Sequence, residues 1–183
     1  MCRDWPSALS FARHAHVLAP PADTLVHALK YQGWRELAGP MAEAMARAPL
    51  PQCPREARRT VVPVPTTAAR VRTRGYNQAL LLAEGVARQL GLELLEGLRR
   101  QRGSVTQVAL HPSERRANVR GAFAVREDAD SRLRGAHVLL VDDVLTTGAT
   151  AVAAAMELAR VGVSEVTLLT YARALPFLRG PGR

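Results

Sequence analysis

Two kinds of apolar pattern alternate along this chain. Apolar residues recur every three or four positions, as in amphipathic helices, over residues 25–45, 79–90 and 148–161. Short apolar runs of strand length occupy residues 60–64, 92–98, 121–125, 136–141 and 165–171. Strands that alternate with helices predict an α/β fold, with a mostly parallel sheet flanked by helices and a small helical N-terminal region.

The first part of the chain has a weaker pattern. Residues 1–21 show no clear period, and we expect a loosely packed segment there. Gly33 divides the helical pattern that follows into two helices, and the three prolines between residues 49 and 54 mark a linker. We therefore predict an N-terminal helical segment over residues 1–54 and a second domain over residues 55–183.

The segment VLLVDDVLTTGAT, residues 138–150, carries the clearest chemical signal. An apolar strand ends in two adjacent acids, and a turn and an alanine-rich helix follow. Free N–H groups at a helix start, together with the helix dipole, attract anions. The turn residues predicted to contact a phosphate are Thr146, Thr147, Gly148, Ala149 and Thr150.

A ribose 5-phosphate would use both halves of this segment. Asp142 and Asp143 can accept hydrogen bonds from two sugar hydroxyls, while the threonine hydroxyls and Gly148 suit the phosphate. The alternative is a purely structural turn, which the mutual repulsion of neighbouring carboxylates disfavours. A Walker-type loop would need a lysine after the glycine, where Ala149 stands.

A basic stretch follows the first apolar run and suits a second phosphate group. Residues 62–65, VPVP, lead from a strand end towards a helix start through several arginines. Backbone N–H groups and guanidinium groups in that setting bind phosphates, so we predict that Pro65, Arg70 and Arg74 contact a pyrophosphate. The alternative is a solvated basic loop.

Residues 99–120 form a long polar segment in which six arginines are opposed by one acid. A loop of this length in a compact domain is usually functional or disordered. We predict that it closes over the ligand and excludes water, with Arg115 and Arg116 helping to hold a pyrophosphate. The alternative is a nucleic-acid contact surface, because backbone phosphates attract the same side chains.

Composition and charge restrict the kind of partner, the metal sites and the cellular location that the sequence allows. The net charge of +9 suggests a polyanionic ligand or partner, and Lys30 is the only lysine. Two cysteines give no disulfide framework or zinc site. No apolar stretch reaches membrane-spanning length, and no signal-peptide pattern opens the chain, so we expect a cytoplasmic protein without membrane insertion.

In order, the segments VPVP, RGYNQALLLAEGVARQLG, TQVAL, ERRANVRGAF and VLLVDDVLTTGAT resemble the ComF family of type I phosphoribosyltransferase-like proteins. The resemblance runs from about Thr24 to Arg173. It implies the type I phosphoribosyltransferase fold and a link to DNA uptake and natural competence. It also implies binding of 5-phosphoribosyl-1-pyrophosphate (PRPP), with Mg²⁺ held mostly by the ligand and water. LVHALKYQGWRELA is similar to the family's helical opening; its Lys30, Tyr31 and Trp34 either cover the sheet or contact a ligand.

This chain departs from the family at its start. Many ComF members begin with a four-cysteine zinc module, whereas only Cys2 lies in that region here. Either the module has been lost or the chain starts late, and we predict no zinc.

Three functions fit the sequence. The first is transfer of a phosphoribosyl group from PRPP with release of pyrophosphate, by an active or formerly active enzyme for which the sequence identifies no general base. The second is a non-catalytic protein that handles single-stranded DNA alongside competence-machinery proteins and retains the PRPP pocket. The third is a PRPP-sensing regulator. A homodimer is the common assembly for such proteins.

Overall fold

A computed structural model describes residues 7–54, 56–101 and 121–175 of the protein. Its main sheet has five parallel strands, which lie in the order Phe11–Val17 (β1), Glu165–Arg173 (β7), His137–Leu145 (β6), Arg59–Pro63 (β2) and Glu93–Leu94 (β3). Two further strands, Leu98–Arg100 (β4) and Phe123–Val125 (β5), form an antiparallel pair beside it. The prediction of a mostly parallel sheet flanked by helices is confirmed.

Six α-helices lie within the described residues and connect these strands. Gly33, with φ of +75°, separates the first two helices, and Gly91, with φ of +64°, ends the fourth helix, as the sequence predicts. None of the helices within the described ranges is both long and apolar enough to cross a membrane. The helices are Ala22–Tyr31 (α1), Ala38–Ala46 (α2), Ala68–Arg74 (α3), Gln78–Leu90 (α4), Asp130–Leu133 (α5) and Ala149–Arg160 (α6).

Helices cover both faces of the sheet. Leu140 and Leu168 pack on one face with α5, α6 and the β4–β5 pair. Leu139 and Leu169 pack on the other face with α1, α2 and α4. Because both faces are buried, β6 and β7 are nearly continuous apolar runs rather than alternating ones.

The expectation of a loosely packed segment at the start of the chain is wrong for residues 11–17. This stretch is strand β1, paired along β7 from Phe11 opposite Thr167 to Val17 opposite Arg173. It is an edge strand with arginine and histidine on a partly exposed surface. An edge strand of this kind does not need the apolar pattern that marks a central strand.

The sequence also misplaces the structure of residues 92–98. Instead of one strand, the chain forms β3 in the main sheet, turns, and enters β4 in the antiparallel pair. The turn passes close to α5 at Gly97, where an added Cβ would lie 3.0 Å from Leu133 Cδ1. Glycine therefore allows the close approach that redirects the strand.

The basic stretch after β2 is a short helix rather than a loop. The Thr67 side chain caps α3 by accepting a hydrogen bond of 3.2 Å from the backbone N–H of Arg70. Arg70 therefore lies in the first turn of α3, close to the carboxyl end of β2.

Candidate functional site

Strand β6 directs its two acids to opposite faces of the sheet. The sequence pattern predicts that the strand ends at Val141, but β6 continues to Leu145. Successive side chains of a strand alternate, so Asp142 lies on the side of α6 and Asp143 on the side of α1. Asp142 stands opposite Thr170 of β7 in the strand register.

The turn after β6 forms the N-terminal end of α6. Gly148 takes φ of +80° there, a conformation that favours glycine, and its carbonyl accepts the first helical hydrogen bond from Val152. The Thr147 and Thr150 side chains are exposed beside it. The exposed hydroxyls and the free N–H groups of the first helical turn can contact an anion.

A small open cavity joins this turn to the first acid. Its walls combine a carboxylate, threonine hydroxyls and the start of a helix, so it can contact both a sugar and a phosphate. The Thr170 hydroxyl is buried and has no hydrogen-bond partner in the described part of the chain. The lining residues are Asp142, Val144, Leu145, Thr146, Thr147, Gly148, Ala149, Thr150, Ala151, Leu168 and Thr170.

The two acids differ in their surroundings. Burial, followed by the charge of Asp143, raises the pKa of Asp142 to about 7, while Lys30 and Arg70 act in the opposite direction. Asp142 Oδ1 accepts a hydrogen bond of 2.8 Å from the backbone N–H of Asp143. Because two adjacent carboxylates repel each other, a positive charge close to them stabilises the ionised pair.

Lys30 supplies such a charge. It lies in the last turn of α1, and its Nζ is 2.6 Å from Asp143 Oδ1. The Asp143 residue is only 3% exposed. The sequence leaves open whether Lys30 covers the sheet or contacts a ligand and does not assign it to the acid pair; its signal in the sequence is that it is the only lysine in an arginine-rich chain.

Two arginines from different elements act on Asp142. Arg70 lies in α3 and Arg100 lies in β4, and the charge of each interacts with that of Asp142. Burial lowers the pKa of the half-buried Arg100, the charge of Arg70 lowers it further, and Asp142 raises it. Arg100 Nε is buried without a hydrogen-bond partner among the described residues. The sequence does not distinguish Arg100, the second residue of the arginine-rich segment, from the other arginines there.

The other predicted pyrophosphate residues are placed differently. Pro65 lies between β2 and α3, in a connection fixed to β6 by a hydrogen bond of 2.9 Å from Val64 N–H to Val141 O. Arg74 donates a hydrogen bond to Gln78 in α4 and lies over the ring of Tyr31 in α1, so it is directed towards these helices rather than towards the acids. Arg115 and Arg116 lie outside the described residues.

The end of α1 is fixed against the turn between α3 and α4. The Tyr76 hydroxyl donates a hydrogen bond to the Leu29 carbonyl. Arg35 donates from Nη2 to the Gly75 carbonyl at 3.1 Å, and its guanidinium lies 4.6 Å from the centre of the Tyr76 ring. These contacts hold Lys30 beside the acids.

Beyond this contact, two aromatic side chains face solvent. Tyr31 is 69% exposed and Trp34 is 56% exposed. The Arg74 guanidinium lies 5.4 Å from the centre of the Tyr31 ring. We call Tyr31, Trp34 and Arg74 the aromatic surface; it adjoins the acid pair through Lys30.

Comparison with known proteins adds independent information. The family model described as phosphoribosyl transferase domain matches residues 76–175. DNA utilization protein YhgH of Escherichia coli O157:H7 is 32% identical over 166 residues, which cover 86% of this chain and 69% of that protein. Competence protein F of Haemophilus influenzae is 36% identical over 115 residues, which cover 62% of this chain and 50% of that protein.

One solved structure overlaps this chain at low similarity. It is glutamine PRPP amidotransferase from B. subtilis complexed with ADP and GMP, at 20% identity and a TM-score of 0.45. The overlap covers 72% of this chain but 25% of that one.

Proposed function

This chain belongs to the phosphoribosyl transferase domain family, and we propose that it binds PRPP or ribose 5-phosphate at the carboxyl end of β6. The resemblance to the ComF family is confirmed by the relatives named competence protein F and YhgH. The family match likewise confirms the type I phosphoribosyltransferase-like fold. Ligands of parallel α/β sheets bind beyond the carboxyl ends of the strands, where this cavity lies.

The observation that carries the proposal is the cavity shared by Asp142 and residues 146–150. The 5-phosphate would lie on the N–H groups and hydroxyls at the start of α6. The ribose hydroxyls would donate to the carboxylates of Asp142 and Asp143. The unpartnered Thr170 hydroxyl supports a polar ligand in the same cavity.

We assign the pyrophosphate of PRPP to the space between α3 and β4. Arg70 and Arg100 both act electrostatically on this part of the site, and the Thr66 hydroxyl beside Pro65 is buried without a partner among the described residues. Arg74, Arg115 and Arg116 stay predicted contacts. Mg²⁺ would be coordinated mainly by ligand oxygens and water, favoured by the negative charge of the acid pair, and would offset the charge of the leaving pyrophosphate.

If the protein is active, the reaction is substitution at the anomeric carbon of PRPP. The bond from that carbon to the pyrophosphate oxygen breaks, pyrophosphate leaves with the electron pair, and a nucleophile forms the new bond. The residues described here orient the sugar and stabilise charge, which is how this chemistry is accelerated without a covalent intermediate.

Calorimetry with PRPP and Mg²⁺ tests the proposed site. Asp142→Asn should weaken binding by about tenfold or more, because a hydrogen bond to a charged acceptor contributes roughly 1.5–3 kcal/mol. The control is Asp128→Asn, which removes an exposed carboxylate away from the cavity and should leave the affinity unchanged. Equal affinity of wild type and Asp142→Asn would contradict the site, and failure of the wild type to bind would contradict the function.

The aromatic surface favours a second function, the handling of single-stranded DNA. Exposed aromatic rings stack on bases, and nearby arginines attract the backbone. The net charge of +9 and relatives named for DNA utilization and competence agree with this function. Under this proposal the protein works in the cytoplasm with competence-machinery proteins, as a homodimer in the simplest assembly.

Mobility shifts with an oligothymidine at several salt concentrations test this second function. Tyr31→Ala or Trp34→Ala should weaken binding several-fold, since stacking contributes about 1–3 kcal/mol per base. Phe11→Ala is the matched control, because Phe11 is also exposed and also has a guanidinium over its ring, 5.5 Å from its centre. An equal loss in the control, or affinity that does not fall with salt, would argue against the assignment.

A further inference from the structure

Lys30 is unusual in this chain both chemically and in position. It is the only lysine among 25 basic residues, and its side chain is 21% exposed against 5% for that of Asp143. An ammonium group is a compact point charge that can lie close to a single carboxylate oxygen, unlike the planar guanidinium. The one lysine therefore stands where a short, directed ion pair is needed.

The ion pair engages only half of the Asp143 carboxylate. Lys30 Nζ contacts Oδ1 at 2.6 Å. Oδ2 is buried and has no hydrogen-bond partner among residues 7–54, 56–101 and 121–175. Leaving a buried charged acceptor unsatisfied is costly, so an acceptor held in this way points to a ligand that donates to it.

Lys30 lies outside the segment that the phosphoribosyl transferase domain model matches, yet the packing of the fold holds it in place beside the acids. Lys30 comes from α1, whereas the matched segment begins at residue 76. Tyr76, the first matched residue, donates its hydroxyl to the carbonyl of Leu29, next to Lys30. The packing thus couples the N-terminal helix to the acid pair.

We propose that Lys30 is a positioning residue of the pentose-phosphate site, holding one oxygen of Asp143 so that the other accepts a hydrogen bond from a ribose hydroxyl. This inference rests on the proposed function. The other positive groups acting on the acid pair are Arg70 of α3 and Arg100 of β4. Both act on Asp142, whereas the ion pair with Asp143 is made by Lys30.

A comparison of two ligands distinguishes the positioning role of Lys30 from a general electrostatic attraction for phosphate. Ribose 5-phosphate has both the phosphate and the hydroxyls, whereas methyl phosphate has the phosphate alone. In titrations followed by NMR, Lys30→Met should weaken the binding of ribose 5-phosphate by about tenfold or more. The same substitution should weaken the binding of methyl phosphate by less than about twofold. Lys30→Arg should recover part of the loss, and Arg47→Met, which removes an exposed charge directly after α2, should change neither affinity.

Equal weakening of both ligands by Lys30→Met, or no weakening of either, would overturn the proposal. Failure of the wild type to bind ribose 5-phosphate would instead contradict the proposed function, so the two outcomes are distinguishable.

A measurement on the wild-type protein guards against a variant that does not fold. Labelling with ¹⁵N-lysine gives one side-chain amine, because Lys30 is the only lysine. Its signal should shift with ribose 5-phosphate and stay in place with methyl phosphate. Equal shifts with both ligands would also overturn the proposal.

Discussion

Replacing Asp142 by asparagine should stabilise the ligand-free protein while weakening ligand binding. Burial, followed by the charge of Asp143, raises the pKa of Asp142 from 3.8 to about 7. When folding raises the pKa of an acid, the folded state loses stability at every pH at which that acid is ionised in the unfolded chain. Wild-type stability should therefore fall as the pH rises from about 4 to about 7 and then level off, and Asp142→Asn should not show this loss.

The size of the effect follows from the shift. Each pKa unit corresponds to about 1.4 kcal/mol, so the rise to about 7 corresponds to at most about 4 kcal/mol above pH 7. Asp142 is partly exposed, and we expect about half of this or more to be measured. For a protein of this size, the difference corresponds to a melting temperature about 5–15 °C higher in the variant at pH 8.

Thermal melts of the ligand-free protein followed by circular dichroism at pH 4.5, 6, 7 and 8 measure this difference. The asparagine oxygen can still accept the hydrogen bond from the backbone N–H of Asp143, so the comparison isolates the charge. Asp128→Asn, at an exposed carboxyl, should show no gain that grows with pH. A difference between Asp142→Asn and wild type that stays constant with pH, or has the opposite sign, would refute the reasoning.

Three further substitutions have different expected outcomes. Asp143→Asn should destabilise the protein by about 1–3 kcal/mol in urea unfolding at pH 7, opposite to its neighbour, because it leaves a largely buried ammonium without its partner. Gly85→Ala should lower the melting temperature, since the new Cβ would lie 2.5 Å from a side-chain atom of α2; Gly39→Ala, with nothing within 4 Å, should not. Leu140→Ala should cost about 2–5 kcal/mol of unfolding free energy, measured by urea, because this central side chain is fully buried.

The central elements of the fold could be predicted because their signals are local. The apolar runs of β6 and β7 and the three-to-four-residue spacing of α4 follow directly from burial on two faces or one. β1 could not be predicted, because an edge strand owes its position to pairing with β7 rather than to an apolar pattern. The short helix α3 is fixed by the Thr67 cap among arginines that have no apolar period.

The site also contains residues that the sequence alone could group and residues that it could not. Asp142 and residues 146–150 are neighbours in sequence and line one cavity, so the sequence alone could group them. Lys30 and Arg100 come from distant elements, and only the packing of α1 and β4 brings them to the acids. The placement of Asp142 and Asp143 on opposite faces depends on β6 continuing to Leu145, four residues beyond its apolar run.

The pairing of β1 with β7 bears on how this protein can be dissected. A fragment that starts at residue 55 would leave one side of β7 with unsatisfied backbone groups from Thr167 to Arg173. Such a bare side recruits strands from other molecules and leads to aggregation. Insoluble material obtained from a shortened gene would therefore reflect the missing first strand, and biochemical work should begin with the chain from β1 onwards.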